Sequence, residues 1–149
     1  PATLDRTGIA ALIPQRGPMC LLERMTSWSA DAIECVAVNH RDPRHPLRSA
    51  SGLLASATIE YAAQAMALHG ALLGHAAGSA ARPGYLASAR GVRLHRLRLD
   101  DLDGDLRIEA TRGAGDARQI LYAFVVRHAG APIAEGRATV VLDPPQEAA

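Results

Sequence analysis

Aromatic side chains are scarce in this sequence. One Trp, one Phe and three Tyr make up 3% of 149 residues, too few rings for the stacking platforms of single-strand nucleic-acid binders. Charge of one sign is also lacking. Sixteen Lys and Arg face fifteen Asp and Glu, a formal net charge of +1, and their even spread along the chain makes no basic footprint for nucleic acid. Cysteine is limited to Cys20 and Cys35, which form no disulfide framework and fit no metal spacing; both are expected as small buried hydrophobes. No His, Cys or acid set has metal-ligand spacing, so no metal is expected. No glycine group has phosphate-loop or dinucleotide spacing before a helix, and no G-x-S-x-G elbow is present. No apolar run reaches the ~18 residues of a membrane span without polar interruption. No signal peptide is read at the start, so a cytoplasmic protein is expected.

What is present fits one globular domain over 1–149. Hydrophobic content is 48% and charged content 21%, and a chain of this length buries roughly two-thirds of its unfolded surface. The organising stretch runs from Ser51 to Gly70 and reads as part of one helix at about 54–75. Leu54, Ala57, Tyr61, Ala65, Leu68 and Leu72 fall on one stripe, while Ile59, Ala62, Met66 and Leu73 carry apolar surface most of the way round, as in a buried helix. Before it, Thr7 caps a short helix over 8–12, residues 14–18 turn, and 19–28 and 32–38 read as strands. Residues 39–52 form a polar loop with two prolines and two histidines. After the helix, 74–83 is a surface link. Strand patterns follow at 85–99, with a bulge near His95-Arg96, then at 106–111, 119–128 and 133–142, the last ended by Pro144-Pro145. Residues 119–128 are apolar on both faces, which suggests a central strand. Turns at 100–105, 113–116 and 129–132 make the four strands an antiparallel meander, so the fold expected is an α+β antiparallel sheet wrapped around one long helix.

A carboxylate on a buried helix must be paired, hydrogen-bonded or neutral, because desolvation penalises its charge. Glu60 is that carboxylate. It either meets an arginine or solvent at one edge, or acts as a general acid or base with a burial-raised pKa. Gln64 lies one turn on along the same face, where it orients the carboxylate or satisfies it. Of six histidines, His69 and His75 sit near the helix's far end and His95 and His128 in strands, where structural roles are expected. His40 and His45 lie in the loop before the helix. His45 is stiffened by Pro46, and which of the two reaches a site stays open at this level.

These features come in a recognisable order. The segment Leu12-Ile-Pro-Gln-Arg-Gly-Pro-Met-Cys-Leu-Leu-Glu-Arg24, two strands, a His-Pro loop, Ile59-Glu-Tyr-Ala-Ala-Gln-Ala65 and a strand meander resemble the hotdog-fold 3-hydroxyacyl-acyl-carrier-protein dehydratases. The similarity is greatest to the divergent branch linked to aryl polyene pigments, and it covers about 12–142. The resemblance implies removal of water from a 3-hydroxyacyl thioester held on a phosphopantetheine arm, giving a trans-2-enoyl thioester without a resident cofactor. It implies Glu60 as helix acid and His45 as loop base, with Gln64 and the N–H groups of Gly52 or Ala55 toward the substrate. It further implies an acyl carrier protein as partner and a double-hotdog homodimer or a heterodimer with another hotdog subunit. The chain departs from the housekeeping pattern: His45 lies one residue further from the acid, and the usual proline-glycine helix start is replaced around Leu54-Ala55. A hotdog acyl thioesterase and a non-catalytic acyl-binding or partner subunit are the alternative functions. Free thiol release would distinguish the first, and activity appearing only with a second hotdog subunit the second.

Overall fold

A computed structural model describes residues 2–78 and 84–142. A short strand β1 (Leu4–Asp5) leads into helix α1 (Arg6–Ala10). The Asp5 carboxylate, not Thr7, caps this helix by accepting the Gly8 N–H at 2.8 Å. Residues 19–23 are not strand, as the sequence suggested; a 3-10 turn Gly17–Met19 and an extended run precede β2 (Arg24–Trp28). β2 and β3 (Ala32–Ala37) form a hairpin, with Met25 opposite Cys35 and Trp28 opposite Ile33. The long loop then reaches a 3-10 turn Ala55–Ala57 and helix α2 (Thr58–Ala76). β4 (Gly84–Leu94), β5 (Leu106–Gly115), β6 (Gln119–His128) and β7 (Ala131–Leu142) complete one seven-stranded sheet in the order β1-β2-β3-β5-β6-β7-β4.

That order corrects the expected meander. Only the turns at 113–116 and 129–132 join neighbouring strands. The 100–105 segment instead crosses from β4, which pairs with β7, to β5, which pairs with β3. α2 separates β3 from β4 in sequence, and the chain emerging from it joins the opposite edge, leaving β3 free to pair with β5. β6 also differs from expectation. Ile120, Tyr122, Phe124 and Val126 are buried, whereas Gln119, Leu121 and Ala123 are exposed. The strand has one covered face because α2 lies on a single side of the sheet. The register of β4 shifts between Leu86 and Ser88 and again between Arg90 and Arg93, where Gly91 adopts a positive φ of 58°, rather than at His95-Arg96. The Pro144-Pro145 stop and part of the 74–83 link lie outside the described residues.

α2 fills the concave face and packs against β3, β4, β5 and β6. Tyr61, Ala65, Leu68 and Leu72 are buried as the stripe predicts and Ala57 is partly buried, with Ala62 buried beside them, each large aliphatic contributing about 1.5–3 kcal/mol by leaving water. Leu54 is the exception; it lies ahead of the helix and is 44% exposed. Cys20 and Cys35 are free and buried, with burial pushing the Cys35 thiol up to about 12. An antiparallel sheet wrapped around one long helix is the hotdog fold.

Candidate functional site

The start of α2 is fixed by the loop before it. That loop advances through successive tight turns, in which Asp42, His45 and Arg48 N–H groups donate to the Asn39, Asp42 and His45 carbonyls at 3.0–3.1 Å. Ser49 and Gly52 then exchange backbone hydrogen bonds at 3.0 Å. Gly52 sits at φ 96°, and a Cβ there would lie 2.5 Å from the Asp100 carboxylate and closer still to the Arg98 guanidinium. Only glycine fits this turn. Asp100 is the anchor. It accepts from Arg98 Nε and Nη2 at 2.9 and 2.8 Å and from the Leu53 N–H at 3.3 Å, and it pairs with Arg48 at 3.4 Å. The Arg98 guanidinium holds this carboxyl well below the usual carboxylate range. Backbone bonds from Leu99 N to Leu53 O and from Ala55 N to Leu97 O complete the clamp.

The loop delivers His45 to α2. The ring is 5% exposed. Its Nδ1 accepts the Leu47 N–H at 3.1 Å, which places the proton of the neutral ring on Nε2. Nε2–H therefore donates to the Tyr61 hydroxyl at 2.9 Å, and that hydroxyl donates to Asn39 Oδ1 at 2.6 Å. Burial lowers the His45 pKa and keeps the ring neutral. Beside this chain lies a cleft of about 240 Å³ whose lining includes Pro18, Asn39, His45 and Pro46. His40 takes a different direction. It is 1% exposed and its Nε2–H donates to the Leu102 carbonyl at 2.9 Å. Of the two loop histidines, His45 is the one bonded to the residue next to Glu60.

Glu60 lies half-buried in the first turn of α2. It makes no hydrogen bond or ion pair among the described residues, so its carboxylate is available to a group from outside the chain. Gln64 is fully buried and occupied at both ends: Oε1 accepts the Leu21 N–H at 2.8 Å and Nε2 donates to the Met19 carbonyl at 2.7 Å. It ties the Met19–Leu21 strap to the helix and does not touch Glu60 by hydrogen bond. The two N–H groups expected to face substrate are likewise committed, Gly52 to the Ser49 carbonyl and Ala55 to the Leu97 carbonyl. The neighbouring Ser56 N–H has no partner among the described residues. Asn39, Tyr61 and Ser56 were not singled out by sequence. Tyr61 read as one member of an apolar stripe, and its hydroxyl gave no periodic signal.

The site thus combines a carboxylate in the first turn of a buried helix, without a partner among the described residues, and a neighbouring tyrosine bonded to a loop histidine. A family model described as ApeP dehydratase, ApeP-like, matches residues 7–149. The chain belongs to the ApeP-like dehydratase family. Among solved structures, it is similar to the dehydratase heterocomplex ApeI:P from Xenorhabdus doucetiae, with 21% identity and a TM-score of 0.82 over 92% of this chain and 91% of that one. The thioesterase HI1161 from Haemophilus influenzae shares 15% identity and a TM-score of 0.64 over 97% and 94%. A hypothetical thioesterase from Streptococcus pneumoniae, solved with coenzyme A, shares 10% identity and a TM-score of 0.56 over 83% and 87%. These three likenesses establish the hotdog fold. Among curated proteins none matches. Among the described residues no helix is long and apolar enough to cross a membrane, and no cluster of three or more His, Cys, Asp or Glu is placed to hold a metal.

Proposed function

We propose that this ApeP-like chain is a subunit of a 3-hydroxyacyl-acyl-carrier-protein dehydratase and that Glu60 protonates the departing hydroxyl. The observation that carries this is the unpartnered Glu60 carboxylate in the first turn of α2, in a chain whose family is a dehydratase family. Elimination breaks the C2–H and C3–O bonds. The C2 proton goes to a base, the electron pair forms the C2–C3 double bond, and the hydroxyl leaves as water with the Glu60 proton. A backbone N–H at the helix start suits the thioester oxygen as charge develops, and Ser56 supplies the unoccupied one; Gly52 and Ala55 would have to release their carbonyls, and Gln64 its strap, to contact substrate. The substrate arrives on the phosphopantetheine arm of a carrier protein and no resident cofactor takes part.

His45 is the proposed base. A base needs a lone pair at the atom facing substrate, and here Nε2 carries the proton. The role therefore requires the proton on Nδ1 in the working enzyme, with the Leu47 N–H released. That same hydrogen-bond pattern supports a second reading, in which this chain supplies Glu60 and a second hotdog subunit supplies the histidine. The heterocomplex nature of the ApeI:P structure favours such an assembly, either as a heterodimer or in place of a homodimer. The decisive experiment compares Glu60→Gln and His45→Asn, with and without a second hotdog subunit, in a dehydration assay on a 3-hydroxyacyl carrier-protein thioester. Unchanged activity in Glu60→Gln would sink the proposal. Loss with Glu60→Gln alone selects the second reading, and loss with both selects His45 as base.

A further inference from the structure

β4 is one edge of the sheet, paired with β7 on its inner side. An open edge of eleven residues is a template for another strand unless something governs what may pair with it. This edge has no acidic residue. Its charges are Arg90 and Arg93, and Arg90 lies directly opposite Arg137 of β7. All three are exposed, and none is paired with a carboxylate among the described residues. Glu135 stands opposite Arg93 but is taken by His95 at 3.0 Å. On β5 and β6 the opposed Arg107 and Arg127 each have a carboxylate, Glu34 and Glu109. The opposed arginines at the edge have no such carboxylate among the described residues, and directly opposed like charges destabilise a strand pair.

We infer that these arginines choose the partner of β4: an edge strand from a different hotdog subunit that presents carboxylates there, in preference to a second copy of this chain. The inference rests on the partner-subunit assembly proposed above and adds the chemistry that selects it. Two copies pairing antiparallel about Ala89, the midpoint of β4, would bring their Arg90 Cα atoms to about 8 Å, given a strand spacing of about 4.8 Å and a rise of about 3.3 Å per residue. That is within the screening length of about 8–10 Å at physiological salt, and each Arg90 would bring its own Arg137 alongside. Exposed Tyr85 and Leu94 near the two ends of the edge offer apolar contact to any strand, so charge, not hydrophobic area, discriminates between partners.

Sedimentation equilibrium of the full chain tests this. The wild type is expected to self-associate weakly, and more tightly as salt is raised. R90Q/R93Q is expected to self-associate about tenfold more tightly than the wild type at low salt. A mixture of wild type with R90E/R93E is expected to form 1:1 dimers tighter than either chain with itself. Far-ultraviolet circular dichroism verifies that the variants keep the fold. Self-association of the wild type equal to that of R90Q/R93Q and insensitive to salt would overturn the inference, as would the absence of a dimer in the charge-swapped mixture. Dehydration assays read Glu60 independently, so failure of the catalytic reading leaves this result standing.

Discussion

Each end of α2 holds a histidine–tyrosine pair, and the two pairs run in opposite directions. Toward the far end, His69 is on the helix and Tyr122 on β6. His69 Nε2–H donates to the Ser29 carbonyl at 2.7 Å, and Nδ1 accepts the Tyr122 hydroxyl proton at 2.8 Å. Trp28 stands edge-on to the His69 ring at 6.5 Å. Every polar atom of that imidazole is spent inside the protein, and His69 is fully buried. At the near end the tyrosine is on the helix and the histidine on the loop. The proton order runs from Leu47 to His45 to Tyr61 to Asn39; it ends beside a cleft, and Glu60 next to Tyr61 has no partner among the described residues. The same two residue types therefore build a closed internal tie in one place and a tie that borders a cleft in the other. What differs is not the hydrogen bonding, which is complete in both pairs, but that His45 and Asn39 border a cleft.

The largest expected effect breaks the open end only. Glu60→Gln should reduce dehydration about 10²-fold or more, as loss of a positioned general acid does, while the thermal midpoint stays at the wild-type value. A lowered midpoint would show that the carboxylate is structural after all. Next, His69→Leu should cost roughly 2–4 kcal/mol in urea unfolding, since it strands both the Ser29 carbonyl and the Tyr122 hydroxyl; a loss under about 0.5 kcal/mol would show that water replaces the ring without penalty.

Acid comes third and acts on both ends. Burial lowers the pKa values of His45 and His69, and of His40. Around His45, Asp42 opposes that lowering while His40 and Arg48 add to it; around His69, Asp31 opposes it and Arg112 adds to it. For a lowered histidine the unfolded chain takes its proton first. Stability is thus complete above the unfolded pKa of about 6.5 and is lost as pH falls below it, at up to about 1.4 kcal/mol per pH unit per histidine. Urea midpoints measured between pH 7.5 and 5 should fall on the acid side; a flat profile would mean that these rings are charged in the native state. The smallest effect sharpens the comparison. Tyr61→Phe and Tyr122→Phe should each cost about 1 kcal/mol, yet only Tyr61→Phe should shift the pH–rate profile, because only Tyr61 holds the ring of the proposed base, His45. Equal profiles would reduce Tyr61 to a structural role.

Much of the fold was legible in residue patterns. The spacing of Tyr61, Ala65, Leu68 and Leu72 announced a buried helix, and Leu106, Ile108 and Ala110 alternated as a half-covered strand should. Glu60 was conspicuous for the same reason, being the sole carboxylate on that helix. The meander was misread because the turn at 100–105 resembles a hairpin locally, and strand pairing across the sheet is not a local property. Gly52 looked like a helix-start N–H donor; its real constraint is the Arg98–Asp100 pair packed against its α-carbon, more than forty residues later in the chain. Gln64 looked like a partner for Glu60 because the two share a helix face, but two backbone groups of the Met19–Leu21 strap compete for its amide and win.

By itself, then, the sequence determined which helix is buried, which acid it carries and which loop precedes it, because those follow from period and spacing along one segment. Tertiary structure alone decided that Glu60 has no partner among the described residues, that His45 keeps its proton on Nε2, that Gly52 and Ala55 spend their N–H groups internally and that β4, with Arg90 and Arg93, forms an edge of the sheet. Each of these depends on hydrogen bonds or charges between residues far apart in the chain, where no local pattern reaches.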